Sequence, residues 1–245
     1  MPRDANRPYV DLAPALAMAA LTDDQSQYPV QPGVQARLLP LLLPGLRARP
    51  APALPGRPTG LLIRPRGGRE RFLSCRAAAS LIIRTLRRRP PSVPRLARLC
   101  GLTFLLGARA RRVRRGARRI RIRTGMEAYA CTRCGLCCVG LDMHDQCRPS
   151  DLEHWRGKGR QDILERTGPV DGRHVLWARP GTPLLEEDCP WLTPARNGNP
   201  ASCGIHSCKP AICREYPGSY KHAVMTGCPA FLSPAARRLL HDPEP

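Results

Sequence analysis

The feature that most constrains this chain is a block of four cysteines in eight residues, Cys131-Thr-Arg-Cys134-Gly-Leu-Cys137-Cys138. A second group answers it far downstream: Cys189-Pro190, Cys203, Cys208, Cys213 and Cys228-Pro229. Two-residue spacing lets both thiolates of a tight turn face one ion while backbone N–H groups point at the sulfurs. That geometry serves zinc and iron–sulfur clusters alike. Gly135 inside the block frees the turn to take positive φ.

Three cysteines at two-residue intervals follow the bacterial ferredoxin pattern, in which a Cys-Pro supplies a further ligand. No Cys-Pro follows within three residues here, so Cys189-Pro190 or Cys228-Pro229 has to supply it from a distance. Cys137 and Cys138 are adjacent and are expected to point apart. They then serve two different metals, or only one of them is a ligand. Disulfides are the competing explanation for ten cysteines after Met126. The two-residue spacings and the want of a convincing secretory signal favour a reduced, cytoplasmic metal site. The Ala/Leu-rich stretch 10–21 is a poor signal, because Asp11 and Pro14 interrupt it and Asp23 and Asp24 follow.

Other candidates rank below the cysteine block. Cys147 and Cys208 are weaker ligand candidates, and Cys75 and Cys100 are incidental. His206 suits a hydrogen-bonding place beside a ligand better than ligation itself. His144 and His154 read as ordinary surface or helix residues. Asp142, Asp145 and Asp151 read as solvated loop carboxylates, although such groups can hold a harder ion or orient ligands. Arg214 either neutralises a thiolate cluster or pairs with its neighbour Glu215.

The charge divides sharply at Met126. Residues 1–125 hold 26 Arg, no Lys and 5 acidic residues, a balance of +21, while residues 126–245 hold 14 basic and 14 acidic residues and balance to zero. The net charge of the whole chain, +21, therefore sits in its first half, and a nucleic-acid partner follows only if that half is a real part of the protein. Residues 1–125 also carry just four aromatics (Tyr9, Tyr28, Phe72 and Phe104) and fifteen prolines. Such a segment is expected to bury too little apolar surface to offset the entropy of ordering it. Arg, Ala, Pro, Gly and Leu are also what GC-rich DNA yields when read without selection. Residues 1–125 are accordingly expected to be a disordered or non-native Arg/Pro-rich extension, with Met126 a candidate initiator. Ile120 and Ile122 alternate with Arg as a strand would, with no evident partner. The most apolar stretches, 38–46 and 99–106, fall far short of the roughly 20 residues a membrane span requires.

Residues 126–245 are expected to form a small, loop-rich, metal-stabilised α+β domain. Ser150-Asp-Leu-Glu153 has the form of a capping box, with a helix following to about Gly157 and Leu152 and Trp155 turned inward. A second helical stretch is expected over 161–166, a short strand over 174–178, loop over 180–217, and a helix from Ser233-Pro234 to Leu240. So few large apolar side chains make a thin core, for which metal cross-links are the usual remedy.

In these residues the sequence resembles the YkgJ-type CxxCxxCC cysteine-cluster proteins, a family described as chelating zinc or iron. The matching pieces are Cys131 to Cys138, Cys189-Pro-Trp-Leu192, Cys203-Gly-Ile-His-Ser-Cys-Lys-Pro-Ala-Ile-Cys213-Arg-Glu-Tyr-Pro217 and Gly227-Cys228-Pro229. The resemblance implies eight metal ligands: Cys131, Cys134, Cys137, Cys138, Cys189, Cys203, Cys213 and Cys228. Cys208 is extra to the pattern, and His206 stands where the family often has Tyr. The implied function is a metal-binding module holding an iron–sulfur cluster or zinc for electron transfer or metal handling, with a redox protein as partner. An iron–sulfur oxidoreductase or a zinc-stabilised interaction domain is the alternative. No nucleotide-binding glycine motif or nucleophile–base pair supports an enzyme.

Overall fold

The computed structural model describes residues 8–231 and 233, apart from 57, 114, 115, 171 and 183. It divides the chain into two compact units that meet at Gly125–Met126. This is the position of the composition break.

The first unit differs from the expected unstructured arm. It runs through β1 (Tyr9–Leu12), α1 (Pro14–Gln27), α2 (Pro32–Leu42), β2 (Leu46–Pro50), β3 (Gly60–Pro65), β4 (Arg71–Ser74), α3 (Cys75–Arg88), α4 (Val93–Phe104), β5 (Ala108–Arg112) and β6 (Arg118–Arg123). Three of its prolines mark helix starts rather than disorder: α1, α2 and α4 each carry one at the first or second position, where the missing N–H costs nothing. Ser74 caps α3 by accepting the Ala77 N–H at 3.3 Å. Two three-stranded antiparallel sheets form, in the orders β2-β3-β4 and β1-β6-β5. Ile120 and Ile122 therefore have partners on both sides, in β1 and β5.

The core is aliphatic. Leu21, Leu38, Leu39, Leu61, Ile82, Leu86, Leu99, Ile120 and Ile122 are buried and belong to one cluster with Ala17, Ala78 and Ala97. Counting aromatics underestimates such a core, because leucine, isoleucine and alanine supply its apolar surface. Cys75 and Cys100 are buried here as small apolar groups, and burial pushes the Cys100 thiol up to about 12.

In the second unit a 3-10 turn (Met126–Ala128) leads to α5 (Leu136–Val139), a second 3-10 turn (His144–Gln146), α6 (Pro149–Gly157), α7 (Gln161–Leu164) and the hairpin β7 (Thr167–Val170) with β8 (Arg173–Leu176). A two-stranded ribbon of β9 (Leu192–Thr193) and β10 (Ser202–Cys203) follows, with a 3-10 turn (His206–Cys208), α8 (Ala211–Glu215), α9 (Tyr220–Met225) and a last 3-10 turn (Pro229–Phe231). The unit is a mixture of helix and sheet, as an α+β domain is. The helix expected from Ser233-Pro234 to Leu240 lies outside the described residues but for Ser233.

The start of α6 differs from the expected capping box. Its N-cap is Arg148 and Pro149 takes the first position, so the reach-back comes from Asp151, which accepts the Arg148 N–H at 3.2 Å. The other oxygen of Asp151 accepts the Ala211 N–H at 2.7 Å, and Arg214 stands 3.6 Å from it. Asp151 is fully buried. It is thus a clamp between the starts of α6 and α8 rather than a solvated loop carboxylate. Leu152 and Trp155 face inward as expected, in a core with Ile163, Leu176, Trp177, Ile205 and Cys208. The Trp155 indole N–H donates to the Cys208 carbonyl at 2.7 Å, fixing α6 against the 3-10 turn at His206–Cys208.

Trypsin applied to the native full chain is expected to leave a resistant fragment from the first unit, where an unstructured arm bearing 26 Arg would be cut to short peptides. Ile82→Ala should cost that unit about 2–5 kcal/mol, read as a lower urea concentration for loss of the fragment. Native peptides mapping upstream of Met126 would at the same time exclude initiation there.

Candidate metal centre

Three backbone hydrogen bonds and one short ribbon bring the cysteine-bearing segments together. The Cys189 N–H donates to the Cys138 carbonyl at 3.0 Å, and the Ala201 N–H donates to the Arg133 carbonyl at 2.9 Å. Cys203 pairs with Leu192 across β9 and β10, and the Gly204 N–H donates to the Trp191 carbonyl at 2.8 Å. Gly135 sits where these segments meet, at φ +79°, and a Cβ placed on it would stand 3.2 Å from Ala201 Cβ. The positive φ expected there is present, and the close approach gives a second reason for glycine.

Five thiols, those of Cys137, Cys138, Cys189, Cys203 and Cys213, line one cavity of about 80 Å³, with Met143, His144, Lys209 and Tyr216 among its other walls. Sites for organic ligands enclose about 300–1,000 Å³, so this space suits an ion or a compact cluster. Cys137 and Cys138 do not point wholly apart, since both reach the cavity. Cys137 gives its proton toward Cys138, and this together with burial raises the Cys137 thiol. Cys138 is eased down by Cys137, yet the proton it shares with Cys189 and its burial push it up to about 11. Cys189 is lowered, first by that shared proton and then by the Trp191 N–H aimed at its sulfur. Burial pushes Cys213 up to about 12, with the charges of Cys138, Cys137 and Cys203 adding to it, and its thiol lies 3.9 Å from Met143 Sδ.

The remaining thiols gather beside Cys137. Cys228 is raised by burial, while the Ala230 N–H and the Tyr216 hydroxyl point at its sulfur, with Cys134 and Cys137 near it. Tyr129 is raised by burial and by its hydrogen bond to Cys131, with Cys228 and Cys137 nearby. Cys131 and Cys134 are solvent-exposed. Both Cys-Pro turns therefore aim the N–H of the residue after proline at the cysteine sulfur, as metal-thiolate turns do.

The donor set fits zinc or iron. It is composed of soft sulfur, with N–H donors toward two of the thiols and the Lys209 ammonium near Cys137 and Cys213. As the side chains stand, no three His, Cys, Asp or Glu among the described residues are gathered into a closed metal shell. Along Cys137, Cys138 and Cys189 each thiol instead shifts the protonation of the next.

Several expectations are corrected. Arg214 neither neutralises thiolates nor pairs with Glu215; it donates to the Lys209 carbonyl and faces Asp151, while Glu215 takes a two-point ion pair from Arg148 at 2.7 and 2.9 Å. His206 is exposed and lies off the cavity. His144 is no ordinary surface residue: it lines the cavity, held by Asp142 Oδ1 and the Glu186 carbonyl at 2.7 Å each. Cys208 is buried outside the cavity, and is lowered by Ser207, with Arg160 adding to this from 3.4 Å. Cys147 packs against the Leu152–Trp155 core, and burial pushes it up to about 11. Lys209 and Tyr216 carry no signal of their own in the sequence beyond lying close to cysteines.

No curated protein and no solved structure matches the chain. Residues 130–229 match the model of the family CxxCxxCC, described as "Putative zinc- or iron-chelating domain", and all eight ligands implied by the cysteine pattern lie inside the matched stretch.

Proposed function

We propose that residues 126–245 are a metal-binding module that holds zinc or iron, the latter as an iron–sulfur cluster, in two four-thiolate centres, and that its work is electron transfer or metal handling. The single observation that carries this reading is the lining of one cavity by five thiols from four separate segments of chain. Four-coordinate thiolate sites are the rule for zinc and for iron–sulfur irons. Eight cysteines therefore divide as Cys138, Cys189, Cys203 and Cys213 around the cavity, and Cys131, Cys134, Cys137 and Cys228 beside it. The adjacent pair Cys137–Cys138 is the seam between them. The four cysteines of the first centre are half-buried. The second has two exposed ligands, Cys131 and Cys134, which leaves room for exchange with a partner protein.

Metal would replace the shared protons, so loading releases them and strengthens as pH rises. The sign for the metal-free domain is opposite. Cys138 and Cys213 are raised from 9.0 to about 11 and about 12, so the fold favours their protonated forms. That contribution is present below about pH 9 and is lost as pH climbs through 11 to 12. Cys189, which is lowered, works against it.

An oxidoreductase acting on an organic substrate is the weaker reading, because the thiol-lined cavity of about 80 Å³ leaves little room for one.

Elemental analysis of anaerobically purified full chain should find two equivalents of zinc or, for cubane clusters, about eight of iron. Absorbance near 400 nm that dithionite bleaches assigns iron–sulfur; a colourless, zinc-replete protein removes the redox roles. Cys213→Ala should lose the cavity centre and retain the other, and Cys131→Ala the reverse. A variant that keeps its full metal complement removes that residue from the ligand set. Since structural metal binding supplies on the order of 10 kcal/mol, each loss should come with a large fall in thermal stability.

Asp151→Ala tests the support behind Cys213. Three groups are left facing a missing carboxylate, at a cost of about 1–3 kcal/mol, and metal should leave more readily to a chelator although no ligand has changed.

A further inference from the structure

Helix α3 in the first unit has two sides of opposite character. Cys75, Ala78, Ala79, Ile82 and Leu86 are buried on one of them. Arg76, Ser80, Arg84, Arg87 and Arg88 are exposed. At about 3.6 residues per turn these five positions fall within about a third of the helix circumference, so they form one stripe. Arg89, also exposed, follows at the C-cap. The side chains of these five arginines have no ion pair and no hydrogen bond among the described residues.

The sequence explains the want of partners. Residues 71–123 hold 17 Arg and no Asp or Glu, and the 5 acidic residues of 1–125 cannot balance its 26 Arg. The elements packed on α3 are α1, α2, β3 and β4. Their carboxylates are Asp23 and Asp24, both on α1. Asp24 is buried and accepts from the Gln25 and Gln31 amides, and Asp23 makes no ion pair among the described residues. The negative end of the helix dipole favours cations in its last turn, which accounts for Arg87, Arg88 and Arg89. It does not account for the other two. Arg76 lies in the first turn, where the dipole disfavours a cation. Arg84 stands three and four residues before Arg87 and Arg88, spacings at which like charges repel.

We propose that the outward side of α3 binds the phosphodiester backbone of a nucleic-acid duplex, without reading its bases. Guanidinium takes phosphate oxygens by two parallel hydrogen bonds, and residues 1–125 use arginine alone, with no lysine. From Arg76 to Arg88 the helix rises about 18 Å, the axial length of about five phosphates on one strand. Four arginines on that length and a fifth at its end match the linear density of the phosphate charge. Contact would release the counterions condensed on the duplex, which supplies affinity whatever the base sequence. The site lies in the first unit and rests on no metal. An acidic membrane is the poorer match. The exposed residues of α3 besides its arginines are Ala77 and Ser80, so no large apolar side chain stands on this side to enter lipid.

The test uses the full chain and fluorescence anisotropy with a labelled DNA duplex and the RNA duplex of the same sequence, titrated at several salt concentrations. The logarithm of affinity should fall linearly against that of salt. Arg84→Gln with Arg88→Gln removes two phosphate contacts and should flatten that slope by about 1.8 on DNA, while Arg84→Lys with Arg88→Lys should keep most of it. Arg66→Gln with Arg69→Gln removes the same charge from the exposed turn between β3 and β4 and should leave the slope unchanged. Glutamine forms helix about as readily as arginine, and circular dichroism checks that each variant is folded. Equal flattening by the helix and turn variants would overturn the proposal in favour of diffuse attraction. Failure of both duplexes to bind at low salt would overturn it outright. Binding to phosphatidylserine vesicles without binding to either duplex would overturn it in favour of a membrane surface.

Discussion

The second unit depends on bringing sulfur atoms close together in a chain that has little else to hold it. Its compact core rests on two tryptophans and a few aliphatic residues, and the cysteines come from segments tens of residues apart. What joins them is main-chain bonding: the Cys189 N–H on the Cys138 carbonyl, the Ala201 N–H on the Arg133 carbonyl, and the Cys203–Leu192 pairing. These bonds set the direction of the turns before any ion is considered. Thiolates crowded together repel one another, so either protons or a cation must occupy the space between them. Burial raises Cys137, Cys138 and Cys213 and so favours their protonated forms, while Trp191 and Ala230 N–H groups and Lys209 lower the cost of charge as protons leave. Zinc or iron supplies the same compensation far more strongly.

How much of this was legible in the sequence follows from the range of each interaction. The positive φ of Gly135 and the inward Leu152 and Trp155 are local patterns, and they read correctly; the cysteine block is as local, and the family match spans it. Asp151 was misread because its partners, Ala211 and Arg214, lie about sixty residues on. His144 was misread because the Glu186 carbonyl, which holds one side of its ring, lies 42 residues on. Helices α8 and α9 are five and six residues long, too short for a periodic signal, and their places are set by what they touch. The division at Met126 was visible as a break in charge and appears again as the boundary between units.

The first unit was misjudged for a different reason. Proline, arginine and scarce aromatics suggested an unstructured chain, yet each feature has a structured use. Prolines open helices, arginines take the outward strand positions, and leucines, alanines and isoleucines fill the inside. The alternation of Arg with Ile over 118–123 was a correct strand signal. Its partner β1 begins more than a hundred residues earlier, a pairing that no local pattern reports.

Magnitudes explain why strands so heavily charged still pair. Burying an isoleucine contributes about 1.5–3 kcal/mol, so Ile120 and Ile122 together supply about 3–6 kcal/mol, and Leu12 adds to it. A like-charged cross-strand pair costs a few tenths to about 1 kcal/mol, and three such pairs flank these isoleucines. Asp11 offsets part of that cost through two-point bonding to Arg121 at 2.7 and 3.0 Å. The apolar face therefore decides the fold and the charged face is carried along.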